Sequence, residues 1–157
     1  MTVDYLTLKW IHILSSTLLL GTGLGIAFFM WMAHRSGDAR QIAATARVVV
    51  IADALFTAPA VVVQLGTGLW LAWLLHLRLT EFWVGTALLL FFVIGACWLP
   101  VVWLQLRARD LAAQAAREGA PLPAAYHRVM RWWFGLGWPA FAAVLAIVWL
   151  MVAKPAL

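Results

Sequence analysis

The sequence has very few charged residues. Aspartate, glutamate, lysine and arginine make up 11% of its 157 residues, hydrophobic residues make up 66%, and the mean hydropathy is +0.95. A soluble domain of this length has too small an interior to cover so much apolar surface. The composition therefore excludes a soluble globular protein and predicts an integral membrane protein whose first partner is the lipid bilayer.

Cysteine is almost absent, since Cys97 is the only one and lies inside an apolar run. One thiol excludes a disulfide framework and a cysteine-rich metal cluster. The histidines have no zinc-binding spacing, and the sequence carries no phosphate-binding loop and no nucleophile motif. The net charge of +5 does not indicate nucleic acid, because the basic residues lie in the gaps between apolar runs. We expect no nucleic-acid partner.

Four apolar runs are long enough to cross a hydrocarbon core of about 30 Å as helices. They lie at about 5–32, 48–75, 82–106 and 132–153. The short connection 76–81 forces an antiparallel hairpin, and Ser36-Gly37-Asp38 is typical of a turn followed by a helix N-cap. The alanine-rich stretch 107–117 should continue the third helix into water and end before Gly119. The sequence predicts an all-α, single-domain, antiparallel bundle of four transmembrane helices.

The distribution of arginine predicts the orientation. The first and third connections and their flanks carry eight arginines: Arg35, Arg40, Arg47, Arg107, Arg109, Arg117, Arg128 and Arg131. The opposite side carries only Lys9, Arg78 and Lys154. By the positive-inside rule, the arginine-rich connections are cytoplasmic and both termini face outwards. Most of the eleven tryptophans fall near predicted helix ends, as in an aromatic belt, whereas Trp98 and Trp138 lie nearer the span interiors, where we expect packing rather than a functional role.

His12 lies inside the first run, where an ionisable side chain is expensive and marks a candidate functional site. Residues at three- and four-residue steps share one helical face with His12: Ser16, Leu19, Gly23, Ala27, Met30 and His34. The small residues on this face would allow another helix or a flat cofactor to approach closely. Two interpretations stay open. In the first, His12 is a haem or metal ligand, with Lys9 near a haem propionate and His76 as the candidate second axial ligand. In the second, His12 is hydrogen-bonded to a serine, a glutamine or a backbone carbonyl.

The second run carries a matching polar stripe at helical spacing: Asp53, Thr57, Ala60, Gln64, Thr67 and Leu71. Asp53 and Gln64 are expensive in lipid and should face the bundle interior. We expect Gln64 to form a hydrogen bond across helices. We expect Asp53 either to be catalytic or to form an ion pair with an arginine: Arg47, Arg128 or Arg131.

The pentapeptide 20–24, Leu-Gly-Thr-Gly-Leu, recurs at 65–69, and the two copies could meet as a packing device or line a pocket. Prolines are expected to kink three helices: Pro59, Pro100 and Pro139.

Four sequence motifs resemble a family of uncharacterised bacterial four-helix membrane proteins. They are Tyr5-Leu-x-Leu-Lys-Trp-x-His12-Ile-Leu-Ser-Ser, Ala52-Asp53 with Phe56-Thr57-x-Pro59-Ala60, Gln105-x-Arg107-x-Arg-Asp110-Leu-Ala, and Arg131-Trp-Trp-Phe-x-x-Gly-Trp-Pro-Ala-Phe. The resemblance covers essentially the whole chain. It implies a multi-pass protein of the inner membrane and leaves the activity open.

A more distant resemblance is to HemJ-type protoporphyrinogen oxidases and CopD-type copper-resistance proteins. It rests on Lys9-x-x-His12 and on the terminal Val152-x-Lys154-Pro155. It implies haem b bound through the histidine and oxidation of a porphyrinogen. The stretch 135–138 lacks the asparagine and glutamate that HemJ-type proteins carry there, so the likeness extends to haem binding more than to the oxidase reaction.

These observations favour a haem b-binding redox protein that exchanges electrons with a quinone or a porphyrinogen-like substrate. His12 would be the axial ligand of the haem iron, and the cofactor would be lined by further residues of both helices and the turn: Lys9, Ser16, Gly23, Thr67 and His76. Two other classes stay open. One is a non-enzymatic membrane subunit or assembly factor, and the other is a transporter of a small solute or copper. The glycine-rich faces also suit a homo-oligomer.

Overall fold

The computed structural model describes residues 3–155 and the side chains of residues 4–155, and this part of the chain is helical without strands. The elements are α1 Val3–Ser36, α2 Ala39–Ala52, a π-helical segment Asp53–Thr57, α3 Ala58–Leu74, α4 Phe82–Glu118 and α5 Ala124–Ala153. Because α2, the π segment and α3 are continuous, the four candidate membrane spans are α1, Ala39–Leu74, α4 and α5. The prediction of an all-α protein with four spans is confirmed.

Helix ends follow the local sequence signals. Asp38 caps α2, since its Oδ1 accepts a hydrogen bond from the Arg40 backbone N–H at 2.9 Å. Gly37 and Gly119 both have a positive φ, 67° and 62°, which a residue without a side chain adopts without strain. Gly119 ends α4 directly after Glu118, so the stretch 107–117 is helical as predicted.

The π segment has a local cause in Pro59. A proline lacks the N–H that would bond the carbonyl four residues earlier, and its ring clashes with that carbonyl. The helix widens just before it, and the Ala58 N–H bonds the carbonyl of Asp53, five residues back. Pro59 therefore changes the hydrogen-bonding register of the second span at its midpoint, whereas α4 and α5 continue as α-helices through Pro100 and Pro139.

The two halves of the bundle pack differently. We call the half that holds the connections 37–38 and 119–123 the arginine-rich half, and the other the opposite half. In the arginine-rich half, α1 packs on α2, α2 on α4 and α4 on α5. These contacts bury one apolar cluster: Ile26, Met30, Ala33, Ile42, Ala46, Val49, Leu104, Ala108, Ala112, Tyr126, Met130 and Trp133.

In the opposite half, α1 packs mainly on α3, and α4 mainly on α5. Large apolar side chains there are widely exposed, among them Trp70, Phe92 and Trp138. Trp138 is 73% exposed, so the packing role expected for it is not realised within the single chain. The reason lies in α5, which directs Ala143 and Leu150 into the protein and leaves Trp138 on its outer side.

The buried face of α1 also differs from the predicted one. Of the residues predicted on one face, Met30 is buried, whereas Gly23 and Ala27 are exposed, and the buried Ser15 and Ile26 lie beside that face. Both sets of residues recur at three- and four-residue steps, so helical spacing alone does not separate them. Ile26 presents apolar area that Gly23 lacks, and that side of α1 joins the apolar cluster where α1 packs on α2.

Candidate functional site

Both ring nitrogens of His12 are hydrogen-bonded to side chains of α3. The Nδ1 atom lies 2.8 Å from Thr67 Oγ1, and the Nε2 atom lies 3.1 Å from the amide nitrogen of Gln64. On the same side of α1, the Ser15 hydroxyl donates to Gln64 Oε1 and lies 3.0 Å from the carbonyl oxygen of His12. We call these four residues the His12 network. It joins α1 to α3 in the opposite half of the bundle.

The partners of the network assign the tautomer of the imidazole. The Thr67 hydroxyl donates to the carbonyl oxygen of Val63 at 2.6 Å, so its oxygen accepts the hydrogen bond from His12. The His12 Nδ1 therefore carries the proton, and the Nε2 lone pair accepts the Gln64 amide hydrogen. Every polar atom of the imidazole has a partner, as a polar side chain within a bilayer requires.

Gly68 allows the imidazole to approach α3 this closely. A Cβ atom at Gly68 would lie 3.1 Å from Cε1 of His12 and 3.7 Å from its Nδ1. Cε1 stands between the two ring nitrogens, so the nitrogen edge of the ring faces the α3 backbone. By contrast, Gly21 and Gly23 of the first Leu-Gly-Thr-Gly-Leu copy have open space around them. The glycines of the first copy therefore pack against no other helix, and the hydrogen bonds and close contact of the site come from the second copy.

The predicted ligand set is only partly brought together. The structure joins His12, Gln64 and Thr67, and the prediction that Gln64 bonds across helices is confirmed. Ser15 takes the place expected of Ser16, which is half-buried and outside the network. Ser15 was missed because positions three and four residues after His12 lie on the same face of a helix, and nothing local distinguishes them.

The remaining predicted ligands lie outside the network. Lys9 is exposed, with its Nζ 5.8 Å from the centre of the Tyr5 ring. Gly23 is exposed and lies about 16 Å further along α1 than His12 at 1.5 Å per residue. His76 is exposed in the turn after α3, with a positive φ of 53°.

A haem does not fit His12 in this conformation. The iron would have to take the Nε2 lone pair, which faces Gln64, and the ring edge that carries it lies against Gly68. A porphyrin could reach that atom only if the Gln64 side chain turned away and α1 moved apart from α3. One surface cavity borders this hairpin, lined by Asp4, Leu8 and Trp70 among others, and His12 does not line it.

Asp53 is buried without a charged partner. Its side chain is 6% exposed, and its Oδ2 atom has no hydrogen bond. The predicted ion pair with Arg47, Arg128 or Arg131 is wrong, since within residues 3–155 Asp53 forms no ion pair. Those three arginines are exposed at the arginine-rich end, whereas Asp53 lies deeper in the second span.

A second histidine contact closes the arginine-rich half. His34 Nδ1 lies 3.1 Å from the hydroxyl of Tyr126, a fully buried residue of the apolar cluster. The His34 ring also contacts the rings of His127 and Phe134. This group ties the end of α1 to the start of α5. Within residues 3–155, no three histidine, cysteine, aspartate or glutamate side chains come together to hold a metal ion.

Residues 6–155 match the family described as a predicted integral membrane protein (DUF2269). The chain belongs to this family. Comparisons with curated proteins and with solved structures found no match. Membership in the family agrees with the four spans and makes the chain a multi-pass membrane protein, and it assigns no activity. The resemblance to uncharacterised four-helix membrane proteins is confirmed.

Proposed function

We propose that the chain is a non-enzymatic membrane subunit in which the His12 network fixes one helix to another. The observation that carries this proposal is that both ring nitrogens of His12 are bonded within the hairpin of α1 and α3. A ligand or general base needs a nitrogen that a substrate or metal can reach. The imidazole instead behaves as a bridging group between two helices.

The bilayer supplies the physical reason for such a network. Apolar side chains gain little by packing against each other in lipid, because lipid tails are as apolar as they are. Helix pairs are therefore held by close packing and by interhelical hydrogen bonds, each contributing on average about 0.6 kcal/mol. Ser15, Gln64 and Thr67 supply such bonds, and Gly68 supplies the close approach.

The exposed surface of the opposite half is consistent with this function. Trp70, Trp73 and Leu89 are exposed in spans that pack only pairwise there. A subunit of a larger membrane assembly keeps such surfaces for other transmembrane helices, or for a second copy of itself. The packed arginine-rich half would act as the fixed base from which the two hairpins extend.

A haem b-binding redox protein is the second candidate function. The favouring observation is the Nδ1–H of His12 on Thr67, because histidines that bind metals commonly donate that proton and coordinate through the other nitrogen. Lys9-x-x-His12 adds the resemblance to HemJ-type proteins. In this candidate the haem would supply one-electron exchange with a quinone or a porphyrinogen-like substrate, and Gln64 would first have to leave Nε2.

The absorption spectrum of the purified protein distinguishes the two candidates. The wild type, His12→Ala and Gln64→Ala would be expressed with ample haem and measured oxidised and reduced. The subunit proposal predicts no Soret band in the wild type and a lower unfolding temperature in both variants. A Soret band in the wild type that His12→Ala loses would overturn it. Lys9→Gln is the matched control, since Lys9 lies outside the network, and should match the wild type in both readouts.

A further inference from the structure

A surface cavity of 290 Å³ lies between the first turns of α1 and the last turns of α3. Six residues line it: Asp4, Thr7, Leu8, Ile11, Trp70 and Leu74. The four residues of α1 follow one another at three- and four-residue steps, and the two residues of α3 are four apart, so each helix contributes one face. The packing of the two helices therefore forms this cavity, and no loop is needed to close it.

The cavity extends inwards from the end of the opposite half. Its α1 residues precede His12 and its α3 residues follow Thr67, and His12 is bonded to Thr67 across the antiparallel pair. Asp4 stands at the start of the first candidate span. Ile11 lies about 10 Å further along α1 at 1.5 Å per residue. One end of the cavity is therefore at the membrane–water boundary, and the other end is within the hydrocarbon region.

The chemistry of the lining changes with this depth. Asp4 is the only charged residue among the six, it is exposed, and within residues 3–155 it forms no ion pair. The deeper wall is apolar and includes Leu8 and Ile11. The Trp70 side chain is 58% exposed, so its ring is open to a neighbouring molecule. A matching ligand has a positively charged head at the boundary and an apolar chain below it.

The carboxylate of Asp4 selects among the lipids that have this form. An anionic headgroup would be repelled by the carboxylate. An ethanolamine headgroup ends in a primary ammonium, whose three N–H donors can form charge-assisted hydrogen bonds to a carboxylate. A choline headgroup carries the same positive charge without any N–H donor. The ethanolamine headgroup is therefore the best match for the boundary end of the cavity.

We propose that this cavity is a binding site for phosphatidylethanolamine. The ammonium group pairs with Asp4, and the glycerol and the first part of an acyl chain lie along Leu8 and Trp70. The lipid covers Trp70, while Trp73 and Leu89 stay open to other helices. This site is separate from the His12 network and goes beyond the subunit function, so the two proposals can fail independently.

The test is the affinity of the purified wild type for phosphatidylethanolamine and phosphatidylcholine with identical acyl chains, measured by native mass spectrometry. Both lipids are zwitterionic, so the arginine-rich end does not favour one by net charge. Phosphatidylethanolamine should bind about three- to fivefold more tightly, as expected for an exposed ion pair. Equal affinities for the two lipids would overturn the proposal.

Variants identify the residues that bind the lipid. Asp4→Asn should bind both lipids equally, whereas Glu81→Gln, at the same end of the molecule and outside the cavity, should keep the preference. Trp70→Ala should weaken both lipids by about threefold through lost apolar contact. Trp73→Ala is its control, since Trp73 is 73% exposed and does not line the cavity, and should bind as the wild type does. An unchanged preference in Asp4→Asn would contradict the assignment.

Chemical coupling locates the headgroup directly. A water-soluble carbodiimide joins a carboxylate to an adjacent primary amine as an amide, and phosphatidylcholine has no such amine. In nanodiscs that contain both lipids, we expect peptide mass spectrometry to find phosphatidylethanolamine attached mainly to Asp4. Attachment to Asp4 and Glu81 in equal amounts would overturn the proposal, because it would mean that the lipid amine meets any carboxylate at this end of the molecule.

Discussion

The two halves of the molecule are held together by different means. The arginine-rich half has one apolar cluster to which α1, α2, α4 and α5 all contribute. In the opposite half the bundle divides into two helix pairs, and α1 is tied to α3 by the His12 network. Where four helices meet, tight packing of alanines, methionines and Tyr126 holds the helices together. Where only two helices meet, polar side chains and a glycine hold the pair.

The largest expected loss in the free energy of unfolding follows from a cavity in the arginine-rich half. Tyr126→Ala removes a fully buried ring and leaves His34 Nδ1 without its partner. We expect a loss of about 3–5 kcal/mol in the free energy of unfolding, as for other large aromatic truncations. Leu89→Ala, at a side chain 64% exposed in the opposite half, should cost less than about 0.5 kcal/mol. Steric-trapping measurements in bicelles would check both, and similar losses would contradict the difference between the halves.

The next effect concerns the close approach of the imidazole to α3. Gly68→Ala would place a Cβ atom 3.1 Å from His12 Cε1, so the ring, which is hydrogen-bonded at both nitrogens, would have to shift by a few tenths of an ångström. We expect a loss of about 1–3 kcal/mol, as for other overpacking substitutions. Gly66→Ala meets nothing within 4 Å and should be neutral or stabilising by up to about 1 kcal/mol, since alanine favours a helix. If thermal unfolding ranked the two variants equally, His12 would not lie against Gly68.

A smaller effect is the coupling between His12 and Thr67. A double-mutant cycle of His12→Ala and Thr67→Val should give a coupling free energy of about 0.6 kcal/mol, the average for hydrogen bonds between membrane helices. The same cycle with Ser16→Ala in place of Thr67→Val should give none, because Ser16 is outside the network. Equal coupling in both cycles would show that the variants disturb α1 as a whole.

The smallest effect is expected at Trp138. The side chain is 73% exposed, so Trp138→Ala should change the free energy of unfolding of the single chain by less than about 0.5 kcal/mol. Trp133→Ala, five residues earlier in the buried cluster, should cost several times more. A large loss at Trp138, measured at a dilution where only single chains are present, would mean that the two hairpins close on this side chain.

The architecture was predictable because it depends on the composition of each apolar run and on local signals at the helix ends. Four runs of apolar residues, a cap at Asp38 and a stop at Gly119 determine the helices, and each acts locally. The partner of His12 was partly predictable, since Gln64 is expensive in lipid and must find a hydrogen bond. The arginine count predicts the orientation, and both termini facing outwards stays a prediction.

The details of the site were not predictable from spacing. Ser15 and Ser16 share a helical face with His12, and only the rotation of α1 against α3 selects Ser15. The ion pair expected for Asp53 failed because opposite charges in one sequence need not lie at the same depth. The π segment changes the rotation of everything beyond Pro59, and its effect on Gln64 and Thr67 depends on the packed helices as well as on the sequence.

The most direct measurement is nitrogen NMR of the protein labelled at histidine, purified from cells supplied with haem. His12 would be identified by the signals that His12→Ala removes. We predict a neutral imidazole with the proton on Nδ1 and a hydrogen-bonded Nε2, whose Nε2 signal shifts in Gln64→Leu while those of His34, His76 and His127 stay unchanged. A His12 signal displaced by a bound iron, or one indifferent to Gln64→Leu, would contradict the assignment of His12 as a bridge between α1 and α3.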